Sequence, residues 1–240
     1  MKTRLDRLMV ERGLAESREK AQALIMAGEV LLNGQTAAKP GQPVDAGCAV
    51  EVLARPPFVS RGGLKLAGAL RHFAIDVAGK TCLDIGSSTG GFTDALLQAG
   101  ARCVHAVDVG AGQLAWRLRT DPRVRLHEGI NARALAFEDI GERVDFIACD
   151  VSFISATLIL PAAVALLQPD GQMVILVKPQ FEVGKGQVGK GGIVREPELH
   201  QAACERVTRL VKELGFDTAI VESPILGAEG NKEFLLYARH

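Results

Sequence analysis

The stretch Asp84-Ile85-Gly86-Ser87-Ser88-Thr89-Gly90-Gly91-Phe92-Thr93 indicates the fold class of most of this chain. It overlaps the short apolar run 81–85, which is typical of a buried parallel strand, and it leads into a predicted helix over residues 92–98. Glycines at such a junction let the backbone turn sharply and approach a ligand closely. The stretch therefore predicts a strand, a glycine-rich turn and a helix, which is the first unit of an α/β fold.

Further strands and helices are predicted on the carboxyl-terminal side of this stretch. The strands cover residues 103–107, 144–149, 173–177, 218–222 and 234–238, and the helices cover residues 154–167 and 198–214. Strands that alternate with helices over about 180 residues are typical of a doubly wound, Rossmann-like sheet. Such sheets bind their ligands in a crevice at the carboxyl ends of the strands, so we expect the functional site there.

The first 54 residues have a pattern of their own. Helical spacing predicts one helix that stops at Gly13 and a second one that is capped by Ser17 and ended by Gly28. Asn33-Gly34 predicts a hairpin turn, and Arg55-Pro56-Pro57 predicts a stiff connector. We therefore expect a small α/β domain over residues 1–54, a linker over 55–59 and the Rossmann-like domain over 60–240.

The composition excludes several classes of protein. Lys plus Arg and Asp plus Glu both number 28, so no net charge attracts the whole chain to nucleic acid or to a membrane. The five cysteines form no C-x-x-C pair, which argues against a zinc ribbon and a disulfide scaffold. The longest apolar run, 158–167, is about half of a membrane span. We expect a cytoplasmic protein with no metal site and no membrane partner; the sequence indicates no particular oligomeric state.

The glycine-rich turn matches neither of two well-known nucleotide-binding patterns. The dinucleotide pattern G-x-G-x-x-G fails at Ser88, and the P-loop pattern fails because Phe92 stands where a lysine is needed. Asp108 lies at the end of the next predicted strand, where doubly wound folds bind ribose hydroxyls. An adenosine without a phosphate chain fits, which makes S-adenosylmethionine the candidate cofactor; a βα turn without a ligand is the alternative. The predicted contacts are Asp84, Gly86, Ser87, Ser88, Gly90, Gly91, Phe92 and Asp108.

Two charged residues follow predicted strands at the same edge of the sheet. Asp150 follows strand 144–149 and Lys178 follows strand 173–177, so both should face the crevice beside the glycine-rich turn. Asp-Val-Ser-Phe after Cys149 lacks the prolines typical of enzymes that methylate base amines, and Cys149 itself fits a core position better than a nucleophile. A lysine can orient a ribose hydroxyl and accept its proton, which favours ribose methylation. Solvated strand ends are the alternative.

Several stretches closely resemble the TlyA (haemolysin A) family, in which an S4 domain is fused to an FtsJ-like ribose methyltransferase. They are SRGGLKL (60–66), DIGSSTGGFT (84–93), VDVG (107–110), KPQFEVGKG (178–186), KGGIVR (190–195), SPI (223–225) and EGNKEF (229–234). In addition, Arg4-Leu5-Asp6 and Ser17-Arg18 resemble the S4 signature. The resemblance spans nearly the whole chain and implies 2′-O-methylation of cytidine in 16S rRNA, 23S rRNA or both.

The resemblance also implies roles for individual residues. A catalytic tetrad would fall on Lys65, Asp150, Lys178 and Glu233. Lys178 would be the base or orienting amine, Asp150 would hold it, and Glu233 would help to fix both the nucleophile and this lysine. Lys65 would meet the substrate phosphate or ribose. Val109, Asn131 and Asp150 would be further contacts to S-adenosylmethionine.

Local clusters of basic residues favour ribosomal RNA as the partner. Residues 55–80 contain five cations against one anion, and residues 178–195 contain four against one, so both segments could follow a phosphate backbone. The predicted RNA contacts are Arg4, Arg7, Arg18, Lys20, Arg61, Lys185 and Lys190. The alternatives are a salt-bridged, solvated surface on the first two helices, a non-catalytic rRNA-binding factor, and a membrane-active haemolysin, which the absence of a long apolar span disfavours.

Overall fold

The computed structural model describes residues 2–53, 56–227 and 230–240, and of Lys185 it describes the backbone alone. The chain forms two compact units that divide between Pro56 and Pro57. This division falls within the predicted linker 55–59, of which Arg55 lies outside the described residues. Apolar side chains form one core cluster in the amino-terminal unit and two clusters in the carboxyl-terminal unit.

The amino-terminal unit is built from short helices and strands. They are β1 Lys2–Arg4, α1 Leu5–Glu11, α2 Arg18–Met26, β2 Val30–Leu32, β3 Gln35–Thr36, β4 Pro43–Asp45 and β5 Val50–Val52. β1 pairs antiparallel with β4, and β2 pairs antiparallel with β3 and β5. The Ser17 hydroxyl accepts a hydrogen bond from the Lys20 amide at 3.2 Å, which confirms the predicted cap of α2. Asn33 and Gly34 both have positive φ angles, which confirms the predicted hairpin turn.

The carboxyl-terminal unit alternates helices and strands. Its first half contains α3 Gly62–His72, β6 Thr81–Ile85, α4 Gly91–Gln98, β7 Cys103–Asp108, α5 Trp116–Arg119, β8 Val124–Glu128 and α6 Phe137–Ile140. Its second half contains β9 Val144–Cys149, α7 Leu160–Val164, β10 Leu167–Val177, α8 Pro179–Glu182, α9 Pro197–Glu213, β11 Asp217–Glu222 and β12 Phe234–Arg239. Single 3-10 turns lie at Ala132–Ala134, Ala156–Leu158, Lys185–Gln187 and Lys190–Gly192.

The strands of this unit form one seven-stranded sheet in the order β11-β12-β10-β9-β6-β7-β8. The strands from β10 to β8 run parallel, whereas β12 is antiparallel to both of its neighbours. Because β12 runs in the opposite direction, its first residue, Phe234, pairs with Val177, the last residue of β10. Glu233, which precedes β12, therefore lies at the edge where the parallel strands end.

Helices cover both faces of this sheet. Side chains of α3 and α4, such as Leu66 and Leu96, pack on one face, and side chains of α7 and α9, such as Leu160 and Val207, pack on the other. Successive residues of a strand point to opposite faces, so Leu83 and Ile85 join the α7 and α9 cluster, whereas Cys82 joins the other one. The predicted doubly wound, Rossmann-like architecture is confirmed.

Two local predictions differ from the structure. The helix predicted over residues 154–167 is instead a 3-10 turn followed by the short α7, and Leu167 already belongs to β10. Pro161 explains the break, because a proline cannot donate an amide hydrogen bond to the turn before it. The second difference is β8, which was not predicted because residues 124–128 contain no continuous apolar run. It is an edge strand, and its alternating polar residues reflect its partial exposure.

Candidate active site

The glycine-rich turn lies tightly against the end of β9. Gly86 has a φ of 85°, and a Cβ atom built on it would lie 2.3 Å from the Asp150 carbonyl oxygen. The Asp150 amide in turn donates a hydrogen bond to the Ile85 carbonyl at 2.9 Å. Gly91 begins α4 where a Cβ atom would lie 2.2 Å from the Ser60 hydroxyl. The missing side chain of Gly86 thus lets the end of β6 pack against the end of β9, and that of Gly91 lets α4 pack against the start of α3.

Buried polar atoms at this turn are left without partners. The Asp84 carboxylate accepts a hydrogen bond from the Thr93 hydroxyl at 2.6 Å through one oxygen, but its other oxygen has no partner among the described residues, and neither has the Ser87 hydroxyl. Burial raises the pKa of Asp84 to about 7, and the nearby carboxylates of Asp150 and Asp108 act in the same direction. Buried polar groups are nearly always hydrogen-bonded, so these atoms indicate a place for a polar ligand.

A wide cleft of about 590 Å³ extends from this turn along the ends of β7 and β9. Its lining includes the predicted cofactor residues Gly86, Ser88, Asp108, Val109, Asn131 and Asp150. The Asp108 carboxylate accepts hydrogen bonds from the Ser88 amide at 2.8 Å and the Gly110 amide at 2.7 Å, which fix its position at the mouth of the cleft. Asn131 is exposed, and its side-chain oxygen accepts a hydrogen bond from the Arg133 amide at 3.1 Å.

A smaller cleft of about 210 Å³ adjoins the wide one and shares Gly86, Ser88, Asp150 and Ser152 with it. Ser87, Gly91, Phe92, Lys65 and Lys178 also line it. The Lys178 ammonium donates a hydrogen bond to the Ser152 hydroxyl at 2.8 Å and forms an ion pair with Asp150 Oδ1 at 2.6 Å. Apart from this ion pair, Asp150 Oδ1 has no partner among the described residues. An amine therefore lies where the two clefts meet.

Lys65 and Glu233 form a second ion pair at the same edge of the sheet. Both side chains are almost fully buried, with residue exposures of 7% and 3%. Glu233 reaches Lys65 because β12 is antiparallel, and Gly227 leaves room for its carboxylate, since a Cβ there would lie 2.2 Å from Glu233 Oε1. The structure thus brings the four predicted tetrad residues to one edge of the sheet, but Glu233 contacts Lys65 and not Lys178.

Ser152 and Phe153 also lie at this site, although neither was predicted as a functional residue. Ser152 is the hydrogen-bond partner of Lys178, and Phe153 is 92% exposed, with its ring centroid 5.3 Å from that of Phe181. Phe153 also has a φ of 65°, a strained conformation for a bulky residue that is often found at functional sites. The sequence signal for this residue is an aromatic side chain directly after Asp-Val-Ser, at the end of a predicted strand. Cys149, by contrast, is fully buried in β9, as predicted.

Two models of known protein families match most of the chain. The FtsJ-like methyltransferase model matches residues 58–240, and the S4 domain model matches residues 3–49. The chain belongs to the FtsJ-like methyltransferase family. This confirms the resemblance that was drawn from the sequence motifs, and we refer below to the S4 unit and the methyltransferase unit.

Individual relatives align with nearly the whole chain. The chain is 51% identical to "16S/23S rRNA (cytidine-2'-O)-methyltransferase TlyA" of Mycobacterium tuberculosis, over 99% of this chain and 90% of the relative. It is 49% identical to "Putative rRNA methyltransferase YqxC" of Bacillus subtilis, over 98% and 85%. A solved structure, "Putative hemolysin from Streptococcus thermophilus", is 46% identical with a TM-score of 0.75, over 99% of this chain and 88% of that one.

The haemolysin name of that structure raises the question of membrane-spanning segments. In the described part of the chain, every helix is too short or too polar to cross a membrane. The longest helix is α9, with 17 residues, and it carries charged residues along its length.

Several basic residues of the S4 unit that were predicted to contact RNA are held in place by carboxylates. Asp6 is fully buried and accepts hydrogen bonds from Arg4, Arg18 and Gln22, and the guanidinium of Arg4 holds the pKa of Asp6 well below its usual range. Arg7 pairs with Glu11 at 3.1 Å, and Lys20 is exposed. The cationic groups of Arg4 and Arg18 therefore remain at the surface in fixed positions.

The basic residues predicted for the methyltransferase unit differ in their surroundings. Arg61 is exposed but donates hydrogen bonds to the carbonyls of Leu226 and Gly227, both at 3.3 Å, so part of its guanidinium is already engaged by the protein. Lys190 is exposed, and the side chain of Lys185 lies outside the described residues.

One group of side chains in the described residues has the composition of a metal site. Cys103, His105 and Glu142 lie close together at the amino-terminal end of β7. However, both ring nitrogens of His105 already have partners, His127 at 3.0 Å and Glu142 at 3.2 Å, and Glu142 also accepts a hydrogen bond from Arg125. The polar atoms of His105 are therefore satisfied within the protein.

Proposed function

We propose that this chain transfers a methyl group from S-adenosylmethionine to the 2′-hydroxyl of a cytidine in ribosomal RNA. The observation that carries the proposal is the Lys178 ammonium, which is held by Asp150 and Ser152 where the two clefts meet. An amine at this point can orient a weakly acidic hydroxyl and accept its proton, as attack by a ribose oxygen requires. The activity named for the Mycobacterium tuberculosis relative supports the same reaction.

The wide cleft has the chemistry expected of a site for S-adenosylmethionine. Asp108 would accept the ribose hydroxyls, since each of its oxygens has a second lone pair beyond its backbone bond. Beside it, Ser87, which lines the small cleft, and the fully buried Asp84 provide polar atoms that have no partner among the described residues and would face the methionine portion. When bound, S-adenosylmethionine supplies an electrophilic methyl group on a sulfonium sulfur. The residues present therefore fit this cofactor.

Replacement of Asp108 by alanine should weaken the binding of S-adenosylmethionine by about 1–3 kcal/mol, because buried hydrogen bonds to the ribose are lost. Isothermal titration calorimetry measures this directly. Asp121→Ala is a suitable control, because Asp121 pairs with Arg123 away from both clefts. Unchanged affinity in a folded Asp108→Ala variant would remove Asp108 from the cofactor site.

The remaining tetrad residues have supporting roles in this proposal. Asp150 holds the Lys178 ammonium toward the junction of the clefts, and Ser152 limits its rotation. Lys65 lines the small cleft with a charge that is balanced by Glu233, so it can meet a substrate oxygen without an isolated buried charge. The exposed ring of Phe153 offers a face on which the base of the target nucleotide can stack.

The S4 unit is expected to deliver the substrate and to take no part in the chemistry. The exposed cations of Arg4, Arg7, Arg18 and Lys20 support this role, because phosphate contacts dominate the affinity for nucleic acids. A fragment of residues 58–240 should fold and bind S-adenosylmethionine, since this unit has its own core. It should bind rRNA more weakly, and the slope of log affinity against log salt should fall by about one for each phosphate contact removed.

Filter binding at several salt concentrations compares this fragment with the full chain, and calorimetry with S-adenosylmethionine verifies that the fragment is folded. A full-length affinity that does not change with salt would contradict the proposed phosphate contacts. Full methylation by the fragment at ordinary enzyme concentration would contradict the role of the S4 unit.

Methyl transfer itself tests the proposed function. Purified chain is incubated with unmodified ribosomal subunits and S-adenosylmethionine, and the RNA is digested and analysed by mass spectrometry for 2′-O-methylcytidine. Reverse-transcription stops then locate the modified nucleotide in 16S or 23S rRNA. Tight rRNA binding without methylation would favour a non-catalytic binding factor, and leakage of liposomes would favour a membrane-active protein. A cytoplasmic location, where ribosomes are found, stays a prediction.

A further inference from the structure

The side chain of Asn231 connects two loops at the edge of the active site. Asn231 is only 3% exposed. Its side-chain oxygen accepts a hydrogen bond from the Val194 amide at 3.0 Å, and its side-chain nitrogen donates one to the Gly192 carbonyl, also at 3.0 Å. The amide thus pairs with the backbone on both sides of Ile193, as a neighbouring peptide group would. None of the roles proposed for the tetrad or for the cofactor-binding residues involves Asn231.

On its own loop, Asn231 lies close to the proposed catalytic carboxylate. Its carbonyl accepts a hydrogen bond from the Gly227 amide at 2.8 Å, and Glu233 follows two residues later. The Gly227 backbone lies directly beside the Glu233 carboxylate, where a Cβ atom would clash. The Asn231 backbone is therefore hydrogen-bonded to the residue that packs against the Glu233 carboxylate.

On the other loop, Asn231 holds the segment 189–195, which carries the exposed Lys190. Within this segment Gly191 has a positive φ angle, and the Gly189 amide donates a hydrogen bond to the Ile193 carbonyl at 3.1 Å. The segment is also joined to the rest of the unit at Val194, which is buried and whose carbonyl contacts the His200 ring at 2.9 Å. The Asn231 amide is a direct link between this glycine-rich segment and the loop of Glu233.

We propose that Asn231 is a positioning residue that couples the glycine-rich segment 189–195 to Glu233, so that the segment must be in place for the Lys65–Glu233 pair to be correctly arranged. The inference rests on the proposed methyltransferase function. It also has a physical consequence that does not depend on catalysis. When the Asn231 amide is changed, the segment 189–195 and the loop of Glu233 should both become less protected against hydrogen exchange. The two consequences are tested separately.

Asn231→Asp is the informative substitution, because it keeps the shape of the side chain but replaces the donor to the Gly192 carbonyl with an oxygen. That oxygen repels the carbonyl and, when ionised, adds a negative charge at a buried position. A displaced catalytic group can reduce the rate by roughly 10- to 100-fold, and we expect a fall of that order in single-turnover methylation with unchanged affinity for S-adenosylmethionine. Lys232→Gln is the matched control one residue further along, since it removes only the exposed ion pair with Glu222. Its rate should equal that of the unchanged protein.

A double-mutant cycle with Glu233→Gln distinguishes positioning from general loss of structure, after thermal unfolding has shown that each variant is folded. If Asn231 acts through the Glu233 carboxylate, Asn231→Asp should have little further effect on the rate when that carboxylate is absent. Equal effects in both backgrounds would overturn the proposal.

Hydrogen exchange measured by mass spectrometry gives the second readout on the full chain. Peptides covering residues 189–195 and 226–234 should both exchange faster in Asn231→Asp, whereas Lys232→Gln should change neither. Faster exchange in only one of the two peptides would show that the loops are not coupled. If both peptides respond but the unchanged protein transfers no methyl group, the coupling stands and the proposed function fails.

Discussion

Replacement of Lys178 by alanine should lower the methylation rate by roughly 10²–10⁴-fold and leave the affinity for S-adenosylmethionine unchanged, because a group that accepts the hydroxyl proton contributes about this factor. Lys178→Arg should be nearly as damaging. A guanidinium retains the positive charge but cannot be deprotonated in proteins, so it can stabilise charge and cannot act as a base. Single-turnover kinetics with saturating cofactor measure the chemical step.

Lys212→Ala provides the control, since Lys212 is an exposed lysine in the last turn of α9, outside both clefts. Its rate should match that of the unchanged protein. If Lys178→Arg retains most of the activity, Lys178 only stabilises charge, and the assignment as a base is wrong. If both Lys178 variants are fully active, the lysine is merely a strand-end charge.

Replacement of Lys65 by methionine should lower the free energy of unfolding by about 3–5 kcal/mol, because it leaves the buried Glu233 carboxylate without its cation. The double variant Lys65→Met/Glu233→Leu should recover most of this stability, since neither buried charge remains. It should nevertheless be inactive, which separates the contribution of the pair to folding from its contribution to the reaction. Urea unfolding monitored by circular dichroism measures the difference.

The ion pair of Lys232 and Glu222 is the appropriate comparison, because it has the same residue types, but each of its two side chains is half exposed. Its Nζ and Oε2 atoms lie 3.2 Å apart. Lys232→Met should change the free energy of unfolding by less than about 1 kcal/mol. A similarly small effect of Lys65→Met would mean that Glu233 finds another partner or takes up a proton, and the buried pair would then not explain the position of either residue.

The positions of Asp150 and Lys178 could be predicted from the sequence, because each follows a short apolar run and the ends of parallel strands share one edge of a sheet. β9 and β10 are neighbours, so the two charged groups meet. The glycine-rich turn was predictable for the same reason. Local sequence patterns are sufficient to predict such site residues where the strands run parallel and each functional residue directly follows its own strand.

The pairing of Lys65 with Glu233 could not be derived from local patterns. Its two residues are 168 positions apart, and they meet only because β12 is inserted antiparallel between β10 and β11. Nothing in the run 234–238 indicates its direction. The left-handed backbone at Phe153 is equally inaccessible, because bulky residues seldom adopt it and no sequence pattern requires it. Neighbouring chain segments impose both features.

The insertion of β12 between β10 and β11 also determines the stage of synthesis and folding at which the complete site can form. Contacts between residues so far apart in sequence close a long loop and are expected to form late in folding. While a ribosome is still synthesising residues 200–230, the nascent chain can already contain the glycine-rich turn, Asp150 and Lys178, but it lacks Glu233. Lys65 then has no counter-charge at its position. A chain that is still being translated should therefore be unable to methylate RNA, and activity should appear only once β12 has joined the sheet.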